Sequence, residues 1–326
     1  MRVVFMGTPE FAVPVLEAIV DSGHQVVLVV TQPDRPSGRG LKAGSSPVKL
    51  AAEAIGLPVR QPATGAELLK ELKEAPADVG VVAAYGRLLG PKTLALPKAG
   101  CLAVHPSLLP EFRGAAPIQR AIMAGREVTG VSIIQMTPAF DAGPILAQRP
   151  LAIEKGETAG ALHDRLARLG AELLIETLAG LAAGTLRPQT QDESRVTWAP
   201  ALTAEDEWLD FTRSARDLIN QIRALNPWPG CRTRRRGLEL KVWRAEELPP
   251  GAPLAPGTVI DISRTGLEIA CGGGERLALV EVQPAGGRKM RAGDYARGHR
   301  IEIGEILGDP VVTRSSAETS SKSAER

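Results

Sequence analysis

The chain has 326 residues, 44% of them apolar, enough for two compact domains with separate cores. Its 39 Lys and Arg stand against 37 Asp and Glu, so no global field commits it to nucleic acid or a membrane, and any basic contact surface must be local. Three cysteines without CxxC or Cys/His spacing argue against a disulfide framework and a structural zinc, and no run reaches the ~18 apolar residues of a membrane span. The expectation is a cytoplasmic, monomeric protein with no metal and no membrane contact.

In chain order, short Val-rich runs alternate with segments of helical period, the pattern of an α/β, Rossmann-like, mostly parallel sheet. Strands are predicted at Arg2–Met6, Gln25–Thr31, Asp78–Ala84 and Cys101–His105, with a helix from Phe11 to Val20 between the first pair. A further apolar run covers Gly130–Met136. A helix is predicted from about Glu157 to Ala183, where Leu162, Leu166, Leu169 and Leu173 form a core stripe and Gly184 supplies the carboxyl-terminal cap. Residues 1–186 then form one domain and the irregular, polar stretch 187–203 a linker. In residues 204–311 a helix over Thr212–Leu225 precedes short runs at Leu238–Trp243, Thr258–Ile262, Leu267–Ala270 and Leu277–Val282, which read as a small barrel. The Ser-rich tail, 312–326, is expected to be disordered.

Neither domain is basic as a whole, but the second carries two basic stretches. Arg232, Arg234, Arg235, Arg236, Lys241 and Arg244 form one; Arg288, Lys289, Arg291, Arg297 and Arg300 form the other. On one face of a barrel these would make a groove for a phosphate backbone; otherwise they are ordinary solvated surface.

Chemistry concentrates between Gly100 and Gly125, where an apolar strand ends at His105 and enters a Pro-flanked turn. The carboxyl edge of a parallel sheet is where loops diverge to form a ligand crevice. A lone histidine there is as readily a structural residue, but the Gly- and Pro-rich loop FDAGPIL places Asp141 after another apolar run, and a carboxylate beside His105 would hold its ring. Without a serine or cysteine nucleophile, such a pair suits acid–base work or oxyanion stabilisation. The Gly7 turn lacks the second and third glycines of GxGxxG, so a dinucleotide site is not expected.

At these residues the chain resembles the methionyl-tRNA formyltransferases, a family of 10-formyltetrahydrofolate-dependent formyltransferases. The resemblance rests on MGTPEFAVP, TQPDRPSGRGLK at 31–42, AAYGRLL at 83–89, HPSLLPEFRGAAPIQRAI at 105–122, FDAGPIL at 140–146 and NPWPG at 226–230. It implies a formyltransferase domain followed by an OB-like, tRNA-binding β-barrel. It also implies 10-formyltetrahydrofolate as formyl donor and the α-amine of methionyl initiator tRNA as acceptor. By the same resemblance His105 is the catalytic histidine, Asp141 orients it, and Ala103 stands where the family has asparagine. Ser107, Leu108, Leu109 and Pro110 are expected in the folate-binding turn, and Tyr85, Gly86, Arg87 and Leu88 near the pterin. Arg35, Arg39 and Lys42, with Arg232, Arg234, Arg235, Arg236 and Lys289, are the expected tRNA contacts, Arg39 foremost. Phe11 is either a wall of the methionine pocket or helix core. Two alternatives stay open: formylation of an amino-sugar nucleotide, and tRNA binding without turnover, the latter because Ala103 removes a carboxamide donor.

Overall fold

The computed structural model describes residues 1–37, 42–264 and 266–308. The expected contacts at Arg39, and the tail from 312 onward, lie outside the described residues. The chain divides into two compact units, Met1–Leu202 and a second beginning at Thr203.

The first unit runs β1 (Arg2–Gly7), α1 (Val13–Asp21), β2 (Gln25–Val30), β3 (Arg35–Ser37), β4 (Lys42–Gly44), α2 (Pro47–Ala54), β5 (Val59–Arg60), α3 (Gly65–Glu74), β6 (Val79–Ala83), α4 (Pro91–Leu94), β7 (Cys101–His105), α5 (Pro117–Met123), β8 (Val128–Gln135), β9 (Ile145–Ala152) and α6 (Ala159–Ala183). Described strands of the main sheet lie in the order β5-β2-β1-β6-β7-β8-β9. The pairs β5/β2, β2/β1, β1/β6 and β6/β7 are parallel, while β7/β8 and β8/β9 are antiparallel. The parallel strands are buried on both faces, which explains their unbroken Val-rich runs. The chain leaves β1 towards β2 and later returns to β6 on its other side, so a crevice opens at the carboxyl ends of β1, β6 and β7. Helix α6 packs against α1, β8 and β9, burying Leu162, Leu166 and Leu173, and Gly184 ends it in the left-handed conformation at φ +64°.

The stretch read as a linker differs from expectation. Residues 187–202 pack within the first unit: Gln189 exchanges both backbone hydrogen bonds with Ile145, and Ala199 is fully buried. The segment's backbone bonds are isolated or come in short runs, such as those of Thr197 and Ala199 with Arg113 and Ala116, and its one helical turn is Glu193–Arg195, so it has no period to be recognised by.

In the second unit, α7 (Ala215–Ala224) is capped by Ser214, whose hydroxyl accepts from the Asp217 amide. The strands β10 (Cys231–Arg235), β11 (Leu238–Leu248), β12 (Val259–Ile262), β13 (Leu267–Ala270), β14 (Arg276–Pro284) and β15 (Met290–Arg291) precede α8 (Ala292–Gly298). Their order is β10-β11-β14-β13-β12 with β15 beside β14, antiparallel throughout the described pairs. The register of β11 on β14 slips around Arg244, a bulge that bends the long pair. Among the described residues β10 and β12 end the order without pairing with each other, so the unit is an antiparallel sheet rather than a demonstrated closed barrel. Among the described residues no helix is long and apolar enough to cross a membrane.

Candidate active site

A cavity of about 610 Å³ occupies the crevice of the first unit. Pro9 reaches it from the turn after β1, Val82 and Ala84–Leu88 from the end of β6, and Ala103–Pro106 from the end of β7. Gly114, Ile118, Gln119, Met136, Phe140 and Asp141 complete much of the wall. Its size suits a small-molecule ligand, and its lining is mostly apolar, with Arg87, His105, Gln119, Asp141 and His163 among the polar groups.

Side chains two apart on a strand share a face, so β7 presents Ala103 and His105 together. The His105 ring is nearly buried. Its Nε2 lies 3.0 Å from the Phe112 carbonyl, which can only accept, so Nε2 carries the proton. In that tautomer the lone pair is at Nδ1, 3.7 Å from Asp141 Oδ2. That separation is long for a hydrogen bond and close enough for strong charge interaction once Nδ1 is protonated. Asp141 Oδ2 also accepts from the Gly114 amide at 2.9 Å. The loop carrying Asp141 closes tightly on β8, since a Cβ at Gly143 would lie 1.7 Å from the Gln135 carbonyl oxygen.

The expected folate wall separates into two parts. Tyr85, Gly86, Arg87 and Leu88 line the cavity; the Tyr85 carbonyl accepts from Thr8 Oγ1 at 3.1 Å and Gln32 Nε2 at 2.9 Å, which fixes their turn. Burial pushes the Tyr85 phenol above its ordinary pKa, keeping it neutral. Ser107, Leu108, Leu109 and Pro110 do not line the cavity. Ser107 donates to the Glu111 carbonyl at 2.6 Å, the Leu109 amide donates to Ser132 Oγ at 3.0 Å, and the Leu109 side chain enters the core with Ile134 and Ile145. The Ser107 hydroxyl and the Leu109 amide of this turn are thereby engaged within the protein.

His163 was missed in the sequence because α6 reads as a leucine stripe. It lies beside Leu162, lines the cavity, packs edge-on to Phe11 at 5.5 Å and takes Asp164 at 2.9 Å. Phe11 is both buried and a cavity wall. The free cysteines are unsuited to nucleophilic work: burial pushes the Cys101 thiol up to about 12, and Cys271 likewise to about 12, while Cys231 is also raised.

In the second unit the basic stretch is less free than its composition suggests. Alternation along β10 puts Arg232 and Arg234 on one face and Cys231, Thr233 and Arg235 on the other. Arg235 is only 8% exposed and its Nε meets Glu305 Oε1 at 2.7 Å, so it serves an internal ion pair rather than a phosphate. Arg232 pairs with Glu207 at 2.6 Å and Glu239 at 3.1 Å, Arg236 with Glu305 at 3.2 Å, and Arg234 lies 4.3 Å over the Trp208 ring. Lys289 sits 3.7 Å over Trp243. In the first unit Arg35 pairs with Gly44 and Lys42 with Ser37 across β3 and β4.

The Arg235 guanidinium holds the Glu305 carboxyl below the usual carboxylate range. A lowered folded-state pKa adds stability that is present above the unfolded value, about 4.3, and lost as pH falls through the folded one. Glu305→Gln should destabilise the second unit by roughly 3–5 kcal/mol at neutral pH in urea unfolding followed by tryptophan fluorescence, and should flatten the acid-side stability profile.

The formyl transferase family profile matches residues 1–178, and the formyl transferase C-terminal domain profile matches residues 201–300. The methionyl-tRNA formyltransferase of Methylococcus capsulatus is 48% identical over 310 residues, 94% of this chain and 100% of that protein. That of Bacillus subtilis is 43% identical over 310 residues, 94% of this chain and 98% of the relative. Among solved structures, an N-formyltransferase from Helicobacter canadensis in complex with folinic acid and dTDP-3-aminofucose aligns with a TM-score of 0.65 at 16% identity, covering 86% of this chain and 99% of that one. HypX from Aquifex aeolicus in complex with tetrahydrofolic acid aligns at 0.63 and 16% identity, covering 94% of this chain and 48% of that one. At such identities the two structures speak for the fold alone.

Proposed function

The chain belongs to the methionyl-tRNA formyltransferase family and transfers a formyl group to methionyl-tRNA, and from that premise we propose that the transfer takes place in the cavity beside His105. The donor is folate-derived; we assign it as 10-formyltetrahydrofolate, its ring system lying against Tyr85–Leu88. The acceptor is the α-amine of methionine on initiator tRNA. Unperturbed α-amines titrate at about 7.7–8.0, so a neutral nucleophile is available without a strong base.

His105 does the proton work. As the amine nitrogen bonds to the formyl carbon it must shed a proton, and the free Nδ1 lone pair accepts it. Asp141 then faces an imidazolium and stabilises it at short range. Nδ1 returns the proton to the donor nitrogen as that nitrogen's bond to the formyl carbon breaks, leaving a formamide and a neutral ring. The observation that carries this reading is the division of the His105 ring: Nε2 is committed to Phe112, and Nδ1 faces the carboxylate.

The developing oxyanion needs a donor, and Ala103 offers none from its side chain. Restoring the carboxamide with Ala103→Asn should raise the single-turnover rate of Met-tRNA formylation at least about tenfold, because one oxyanion donor is commonly worth about 10² to 10³. Equal rates in the two proteins would remove position 103 from the mechanism. Ala103 also favours a second reading, tRNA binding without turnover, for which undetectable transfer by the parent chain at saturating folate would speak.

For the tRNA we propose Arg35 and Lys42 in the first unit and Arg232, Arg234, Arg236 and Lys289 in the second as phosphate contacts, with Arg235 left out because of its buried pairing.

A further inference from the structure

A segment without regular structure must satisfy its backbone and side-chain polar groups one by one, and the bonds it chooses show what it holds. Residues 189–199 direct theirs at the supports of His105 and Asp141. We infer that Gln191, with Arg113 behind it, is a positioning residue for Asp141, an inference that rests on the reading of His105 and Asp141 as the catalytic pair.

Gln191 is 5% exposed and its carboxamide is fully engaged. Nε2 donates to the carbonyls of Asp141 and Gly143, both at 2.8 Å, while Oε1 accepts from Arg113 Nε at 3.0 Å and Nη2 at 2.8 Å. The orientation of the amide is fixed by its neighbours, since carbonyls only accept and a guanidinium only donates. Asp141 occupies the left-handed region at φ +49°, where a non-glycine residue stays only if its surroundings hold it. Gln191 provides that hold by drawing two carbonyls, two residues apart, onto one NH2 group.

The same strand of chain reaches the pair from the other side. Phe112 takes His105 Nε2 on its carbonyl, and Gly114 gives its amide to Asp141 Oδ2, so Phe112–Gly114 grips both members. That tripeptide is held in turn by Thr197, whose hydroxyl accepts from the Phe112 amide at 2.8 Å and whose carbonyl accepts from the Arg113 amide at 2.9 Å. Arg113, 3% exposed, closes the frame on Glu193 at 2.8 Å. Among the described residues Gln191 is therefore the side chain that joins the tripeptide's guanidinium directly to the Asp141 main chain.

The test is Gln191→Met, which keeps the volume and removes every bond. In single-turnover formylation of Met-tRNA the maximal rate should fall about 10- to 100-fold while the half-saturating concentrations of folate donor and tRNA stay within about threefold, as for a reacting group displaced by about 1 Å. In an Asp141→Asn background the same substitution should cost less than about twofold, because position no longer matters once the charge is gone. A merely structural role would leave the loss intact there. A parental rate in Gln191→Met, or the full loss persisting beside Asp141→Asn, would overturn the inference. A parental rate in Asp141→Asn alone would overturn instead the reading of the pair. If Gln191→Met does not fold, Glu193→Ala, at the exposed end of the frame, decides by the same cycle, with an expected loss of about 2- to 5-fold that vanishes beside Asp141→Asn; no loss would overturn the inference.

Discussion

Replacing His105 with glutamine should lower single-turnover formyl transfer about 10³-fold without unfolding the protein. Glutamine is the informative substitute because its Nε2 can still donate to the Phe112 carbonyl, the bond that His105 makes at 3.0 Å. What disappears is Nδ1, the only ring atom left with a free lone pair. A positioned acid–base group contributes about 10² to 10⁴, and no other imidazole lies beside Asp141 among the described residues. Substrate affinities should change little, since glutamine keeps much of the volume that His105 gives the cavity wall. Retention of the parental rate within about threefold would show that the amine loses its proton to water instead.

Asp141→Asn should cost about 10² to 10³ in the same assay. Asparagine keeps an oxygen for the Gly114 amide, so the loop stays closed, but the charge facing Nδ1 is lost. Two unit charges about 4 Å apart interact by about 4 kcal/mol at the effective dielectric of a protein surface, and part of that energy is regained by solvent. Each 1.36 kcal/mol removed from transition-state stabilisation is about tenfold in rate. A measured loss under about fivefold would mean that Asp141 holds the loop and contributes nothing to the imidazolium.

How much of this could be read in the sequence differed with the kind of interaction. The parallel strands were legible because burial on both faces demands unbroken apolar runs, and Cys101–His105 matches the observed strand residue for residue. His105 and Asp141 could each be placed after an apolar run, but β8 is antiparallel to β7 and ends opposite Leu102, so the two runs end at opposite edges and the approach of Asp141 to His105 was not implied. Their orientation was not legible, since it depends on Phe112 at φ +59° and on a segment 50 residues beyond Asp141. Residues 187–203 read as a linker because isolated bridges and short runs of backbone bonds leave no period. The Ser107–Pro110 turn read as a ligand wall, but the Ser107 hydroxyl donates to the Glu111 carbonyl, the Leu109 amide donates to Ser132 Oγ and the Ser107 carbonyl accepts from that hydroxyl, pairings that composition does not encode. Arg235 shows a signal that was present: its parity with Cys231 and Thr233 marks an inward position, although its partner Glu305 lies far along the chain.

The solved structures at 16% identity share the fold alone, and methionyl-tRNA as acceptor follows from the relatives at 43–48% identity over almost the whole chain.

The most direct measurement is a single-turnover reaction of the parent chain with labelled 10-formyltetrahydrofolate, offered methionyl initiator tRNA in one tube and an amino-sugar nucleotide in another. Label should appear as N-formylmethionine on the tRNA, and the sugar nucleotide should stay unmodified. Label on the sugar alone, or on neither acceptor when donor binding is independently demonstrated, would contradict formyl transfer to Met-tRNA in this cavity.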